Sequence, residues 1–166
     1  MRTEQGAAQD TASETAELPG FVAPPGFVAM PLRDGFVSPN GPLFVATEPD
    51  LRFGFRVGPG QCNPMRICHG GWIATVLDVM LPNIARLTLD DIDGRAMLTV
   101  NLSVDYLGTA PLGCWVEGHG QVLRRTGRMV FVQGMLASET GPVARGSGIF
   151  RLGPEGSAVR RSSNEE

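Results

Sequence analysis

One segment of this chain, and one only, has the pattern of a long helix, and that limits what the rest can build. From Trp72 to about Leu87 the apolar residues Ile73, Val76, Leu77, Met80, Leu81 and Ile84 recur at spacings of three and four, the period of a helix with one buried stripe. Elsewhere the apolar residues come in short runs or alternate. Residues 42–47 and 51–57 are β-type runs joined by Glu48-Pro49-Asp50, which reads as a hairpin. Residues 96–107 alternate Leu98, Val100, Leu102, Val104 and Tyr106 with Thr99, Asn101, Ser103 and Asp105, the period of a long half-buried strand. Residues 114–123, 129–139 and 143–152 are three further strands, with turns at 124–128 and at Thr140-Gly141-Pro142. Short connections predict that the last four strands form an antiparallel meander. Pro82 is expected to kink the helix or to end its regular part early.

The order is therefore two strands, one helix and four strands, an α+β arrangement in which an antiparallel sheet wraps around one long central helix. A single helix shields only part of one face of such a sheet, so the uncovered face and edges predict a homo-oligomer, dimer or tetramer. At 166 residues the chain makes one domain. Its expected limits are 42–153, preceded by a disordered tail at 1–17 and an irregular segment or short helix at 18–41, and followed by a disordered tail at 154–166. The acidity of the first tail argues against a transit peptide, no secretory pattern is seen, and a cytoplasmic location is expected.

Charge and composition remove several function classes. All 14 basic residues are arginine, which excludes lysine Schiff-base and P-loop chemistry. The net charge of −3 argues against a nucleic-acid binder, which displaces counterions with a basic stripe. The longest apolar run stops at Pro82, well short of the ~20 residues of a membrane span. Cys62, Cys68 and Cys114 lie at no zinc-type spacing, so reduced thiols and no metal site are expected.

The chemistry concentrates in residues 63–78. Asp78 lies mid-helix between Leu77 and Val79; it is either a solvated residue on a polar stripe or a general base or nucleophile in an apolar cleft. Gly70 and Gly71 fall at the helix N-terminus, where unpaired backbone N–H groups and the positive dipole end suit a developing oxyanion; the alternative is that two glycines merely close a loop. His69 either caps the helix or touches substrate. From Gly70 to Asp78 is eight helical steps, about 12 Å, so one helix cannot present both groups to one carbonyl. If both act in one site, two subunits must supply them reciprocally across a two-fold axis.

These residues resemble the hotdog-fold acyl-CoA thioesterases, in particular their phenylacetate-degradation (PaaI-like) branch. Asn63 is followed six residues later by His69-Gly70-Gly71, Asp78 comes nine after the histidine, and a long strand ends in Val104-Asp105-Tyr106-Leu107. The resemblance covers about 42–152 and implies a hotdog fold. It further implies that Asp78 activates or itself supplies the nucleophile, that Gly70 N–H and the Asn63 side chain polarise the thioester carbonyl with His69 assisting, and that Thr99 helps hold the attacking water. Thr99 falls on the polar side of its alternating strand, as that role requires. One departure stands out: the family usually has glycine three residues before His-Gly-Gly, and this chain has Arg66. A cation there either reshapes the loop or sits by the substrate and favours an anionic acyl or CoA group.

Around this motif, Gly71 at the helix start is expected to contact substrate, Trp72 and Met80 either line an acyl pocket or pack in the core, and Arg124, Arg125 and Arg128 either contact CoA phosphates or form a solvated hairpin tip. Cys68 lacks an oriented base and is a poor candidate nucleophile. The activity so implied is hydrolysis of acyl-CoA to a free acid and CoA with no separate cofactor, CoA being part of the substrate. Two rivals remain: a hotdog enoyl-CoA hydratase, for which only His69 and His119 are available as histidines, and a non-catalytic acyl-CoA binding module.

Overall fold

The helix forms where its apolar stripe predicts it and extends a little at both ends. In the computed structural model, which describes residues 22–32, 35–92 and 94–157, α1 spans Gly70–Thr88. The tail expected at 1–17 lies outside the described residues, as do residues 158–166 of the C-terminal tail. Trp72, Ile73, Val76, Leu77, Met80, Leu81, Ile84 and Ala85 are buried, each large side chain contributing roughly 1.5–3 kcal/mol by leaving water. Pro82 lies inside the helix and does not end it, which removes the second of the two expectations for it. Proline removes one donor, the N–H that would reach the Asp78 carbonyl, and the burial of Leu81, Ile84 and Ala85 on either side holds the remaining turns.

Among the described residues seven strands form one antiparallel sheet: β1 (Val28–Ala29), β2 (Phe44–Ala46), β3 (Arg52–Arg56), β4 (Met97–Tyr106), β5 (Trp115–Arg125), β6 (Met129–Ser138) and β7 (Gly141–Leu152), in the order β1-β2-β3-β5-β6-β7-β4. The hairpin and the three C-terminal strands stand where the sequence places them, but the last four strands are not a meander. β4 pairs with β7, from Met97 opposite Leu152 to Tyr106 opposite Ala144, and so lies at the far edge. The reason lies in the 107–114 connection. It is tied to the loop before α1 by Cys68 N–H to Ala110 O (2.8 Å) and Leu112 N–H to Arg66 O (2.9 Å), which carries the chain across the domain instead of folding it into a tight turn. A smaller correction concerns the next turn: Arg124 and Arg125 are still in β5, opposite Phe131 and Val130.

Glycines decide how closely sheet and helix approach. A Cβ at Gly146 would fall 2.9 Å from Leu77, one at Gly134 2.8 Å from Met80 and one at Gly120 2.7 Å from Ile84. These inward-facing positions on β5, β6 and β7 form a shallow channel that receives the helix side chains. The opposite face is partly covered by the N-terminal segment, which contributes β1 and a 3-10 turn at Ser38–Asn40. There Phe27 and Phe44 pack on Trp115 with ring centroids 5.1 and 5.7 Å away, and Arg52 pairs with Glu117 at 3.1 Å. Among the described residues no helix is long and apolar enough to cross a membrane.

Candidate active site

The loop between β3 and α1 is built by side chains that bond to backbone. Gln61, buried, accepts from Gly58 N–H (3.0 Å) and donates to Asn40 O (2.6 Å), which staples the N-terminal segment to the helix entrance. Asn63 Oδ1 accepts from Met65 N–H (3.0 Å) and Ile67 N–H (3.4 Å). Its oxygen therefore holds the turn, and Nδ2 is the end left to meet a ligand. Arg66 has φ +59°, the left-handed conformation that glycine adopts without steric cost. That accounts for a glycine preference at this position and shows the departure to be local: the turn forms with arginine in it, and the side chain is exposed.

At the end of the loop His69 is the N-cap of α1, its Nδ1 accepting from Gly71 N–H at 2.9 Å. With Nδ1 occupied, the proton of the neutral ring sits on Nε2. Trp72 and Ile73 N–H both reach His69 O. Of the first four helix donors, then, three have acceptors within the chain, and Gly70 N–H is the one with none among the described residues. The Gly70 carbonyl is held as well, by the Tyr106 hydroxyl at 2.9 Å. Tyr106 belongs to the motif at the end of its strand, but nothing in the sequence gives it this role.

Asp78 lies two turns on, half-buried, with Oδ1 accepting from Thr99 Oγ1 at 2.7 Å. Thr99 and Tyr106 thus both reach α1 although they are seven apart in sequence, which strict alternation forbids. A bulge between Thr99 and Asn101 reconciles them, since one inserted residue switches the face of everything beyond it. Thr99 is accordingly on the helix side, not on a polar face opposed to it, and the expected apolar row is broken. Leu102 and Val104 pack on the core, while Leu98 and Val100 are 50% and 55% exposed.

The remaining expected residues divide. Trp72 is 6% exposed, stacks edge-on to Phe55 (6.2 Å, 84°) and, with Phe36, Asn40, Gln61, His69 and Gly71, lines a cavity of about 300 Å³ at the helix entrance. Met80 is core. Burial, followed by the nearby Cys62 and Cys114, pushes the Cys68 thiol up to about 12, so no resting thiolate is offered there to attack an acyl carbonyl. His119 sits between Gly118 and Gly120, whose missing Cβ atoms face α1. It therefore points to the other side of the sheet and cannot join His69 in the proton transfers of a hydratase. Arg125 pairs with Asp91 at 2.6 Å and Arg124 is exposed. Arg128 instead meets Arg95 and Arg151 around a cavity of about 420 Å³ that also includes Leu98, the neighbour of Thr99. The sequence offers no hint of that grouping, because it depends on β4 lying against β7.

Comparison with known proteins gives a consistent picture. Residues 65–145 match the thioesterase superfamily. A Pseudomonas aeruginosa protein provisionally named an esterase is 32% identical over 114 residues, covering 68% of this chain and 84% of its own. A Bacillus halodurans protein crystallised with CoA superposes with a TM-score of 0.54 at 26% identity, over 60% of this chain and 69% of that one. Zebrafish thioesterase superfamily member 2 shares the fold with a TM-score of 0.63 at 20% identity, over 73% of this chain and 88% of that one.

Proposed function

This chain belongs to the thioesterase superfamily, and from that premise we propose that it is a thioester hydrolase that cleaves acyl-CoA to the free acid and CoA, in sites shared between two subunits. The observation that carries the reading is the Asp78 carboxylate, held by Thr99 at 2.7 Å on the same helix that presents Gly70 N–H at its start. Gly70 N–H polarises the thioester carbonyl and receives the oxyanion. Asp78 either deprotonates the attacking water or attacks through its own carboxylate to give an anhydride; both routes expel the CoA thiolate. Asn63 Nδ2 and His69 Nε2–H are further donors beside the carbonyl.

The edge strand supports the shared site. β4 carries both Thr99, which marks the Asp78 end, and Tyr106, which marks the Gly70 end, and its outer edge has no partner strand among the described residues. An antiparallel pairing of β4 with a second copy lays the Thr99 end of one strand beside the Tyr106 end of the other, bringing Asp78 to the partner subunit's Gly70. Leu98, Val100 and Tyr106, all half-exposed or more, lose water in that pairing. Arg128, together with Arg95 and Arg151, is positioned for the CoA phosphates. The solved Bacillus halodurans relative with CoA supports the choice of thioester.

The test mixes two impaired enzymes. Gly70→Pro removes the N–H and Asp78→Asn removes the base, so each homodimer releases thiol from acyl-CoA about 10²- to 10³-fold more slowly than wild type. The heterodimer retains one intact site and is expected to recover about half of wild-type turnover. No recovery in verified heterodimers sinks the shared site, and CoA release that survives Asp78→Asn sinks the mechanism. Wild-type protein that binds acyl-CoA without turnover is a binding module, and one that hydrates enoyl-CoA is the rival enzyme.

A further inference from the structure

The mechanism leaves the three cysteines unused, and two of them face each other. Cys62 and Cys68 are opposite residues of an isolated antiparallel bridge at the base of the 62–68 loop. The bonds flanking them are Asn63 N–H to Ile67 O (2.9 Å) and His69 N–H to Gln61 O (2.8 Å). That pattern makes 62 and 68 a non-hydrogen-bonded pair, whose Cα atoms lie about 4.5 Å apart with side chains on the same side of the ribbon. A disulfide spans Cα separations of roughly 4.4–6.8 Å, so the backbone already satisfies the reach. Both thiols are free, Cys62 half-buried and Cys68 buried, and their Sγ atoms are turned to different carbonyls, Gly58 O at 3.3 Å and His69 O at 3.9 Å. Closing the bond needs side-chain rotation, not chain movement.

We propose that Cys62 and Cys68 form an intramolecular disulfide when a hydroperoxide oxidises the protein, and that this bond lowers turnover at the adjacent site. Cys62, the more accessible thiol, attacks the peroxide: an S–O bond forms, the O–O bond breaks, and water leaves a sulfenic acid. The Cys68 sulfur then attacks the Cys62 sulfur; the S–S bond forms and the oxygen departs as a second water, carrying the Cys68 proton. Two thiols are oxidised and one hydrogen peroxide is reduced to two waters. The bond joins the residue before Asn63 to the residue before His69. It takes the Cys68 Sγ away from His69 O, the carbonyl that accepts the Trp72 and Ile73 donors at the helix start. Both carbonyl-side donors, Asn63 and Gly70, are attached to the stems it locks together.

The bond does not depend on the hydrolase reading, and only its effect on turnover does. The full-length protein is treated with hydrogen peroxide, alkylated and mapped by mass spectrometry. The expected result is a Cys62–Cys68 linked peptide, an intact mass lower by two hydrogens, Cys114 still open to alkylation, and full reversal by dithiothreitol. Cys114→Ser keeps the bond and Cys62→Ser abolishes it, each read alongside a folded circular-dichroism spectrum. Thiol-release turnover falls at least threefold in the oxidised protein and returns on reduction. Linkage to Cys114, linkage between chains, or oxidation that stops at sulfinic acid overturns the site. A mapped Cys62–Cys68 bond with unchanged turnover in an active enzyme overturns its control of the reaction.

Discussion

The two halves of the site sit on one helix and are held in opposite ways. At the N-terminal half nearly every group has a partner within the chain: His69 caps Gly71, Gln61 fixes the loop to Asn40, and Tyr106 holds the Gly70 carbonyl. The half at Asp78 rests on one side-chain hydrogen bond to a strand whose outer edge is open. The first half is preorganised by a single copy and offers a backbone donor that side-chain substitution barely touches. The second is a carboxylate beside an exposed strand edge. On the proposed mechanism, polarising the carbonyl is a property of the fold, and delivering the nucleophile a property of the assembly.

Substitutions test that contrast. Asp78→Asn is expected to lower kcat about 10³-fold, within the range for loss of a general base, with an unchanged circular-dichroism spectrum. Gly70→Pro should cost about 10²-fold in kcat, the scale of one lost oxyanion donor. Proline is tolerated at the first helical position, and His69 at ψ 136° already has the extended backbone required before proline, so the melting temperature should move little. A loss below tenfold would mean that the carbonyl is polarised elsewhere. Thr99→Val removes the one bond that orients Asp78 and should lower kcat about tenfold, with recovery in Thr99→Ser; equal losses in both variants would point to packing instead.

The N-terminal half should also carry a signature in alkali. The Cys68 thiol is raised to about 12 when folded, from its ordinary value of 9.0. The folded state therefore holds its proton more tightly than the unfolded chain, and stability is complete below pH 9 and declines as pH climbs from about 9 towards 12. At pH 10 the loss is on the order of 1 kcal/mol, measured by denaturant titration, and Cys68→Ala should flatten this slope. The smallest effect is a gain: Arg66→Gly relieves the left-handed arginine at φ +59° and should add up to ~1 kcal/mol, seen as a rise of a few degrees in Tm with kcat unchanged. A fall in kcat would show that Arg66 touches substrate.

The residues that could be recognised in advance are those whose signal is local. The stripe from Ile73 to Ile84 marks the helix, and the spacing of Asn63, His69, Gly70 and Asp78 marks the candidate site. What stayed hidden depends on contacts distant in sequence or on one inserted residue. Pairing of β4 with β7 follows from a connection anchored at Ala110 and Leu112, and neither anchor has a compositional mark. The bulge at Val100 leaves the hydrophobic alternation looking unbroken, so strict parity sets Thr99 on the face opposite Tyr106, whereas both reach α1. Arg128 could be connected with Arg124 and Arg125 as neighbours in the chain, but its neighbours in space are Arg95 and Arg151.

The channel of glycines beneath α1 has a consequence for how such an enzyme can change. Gly120, Gly134 and Gly146 leave no volume for even a methyl group against Ile84, Met80 and Leu77, and overpacking a site of that kind costs roughly 1–3 kcal/mol. Diversification of the sheet floor is therefore closed off, whereas Phe36 and Asn40 belong to a segment outside it and still reach the cavity beside Trp72. A library aimed at new acyl preferences should lose most of its members when it randomises the strands and keep most of them when it randomises the 35–40 segment.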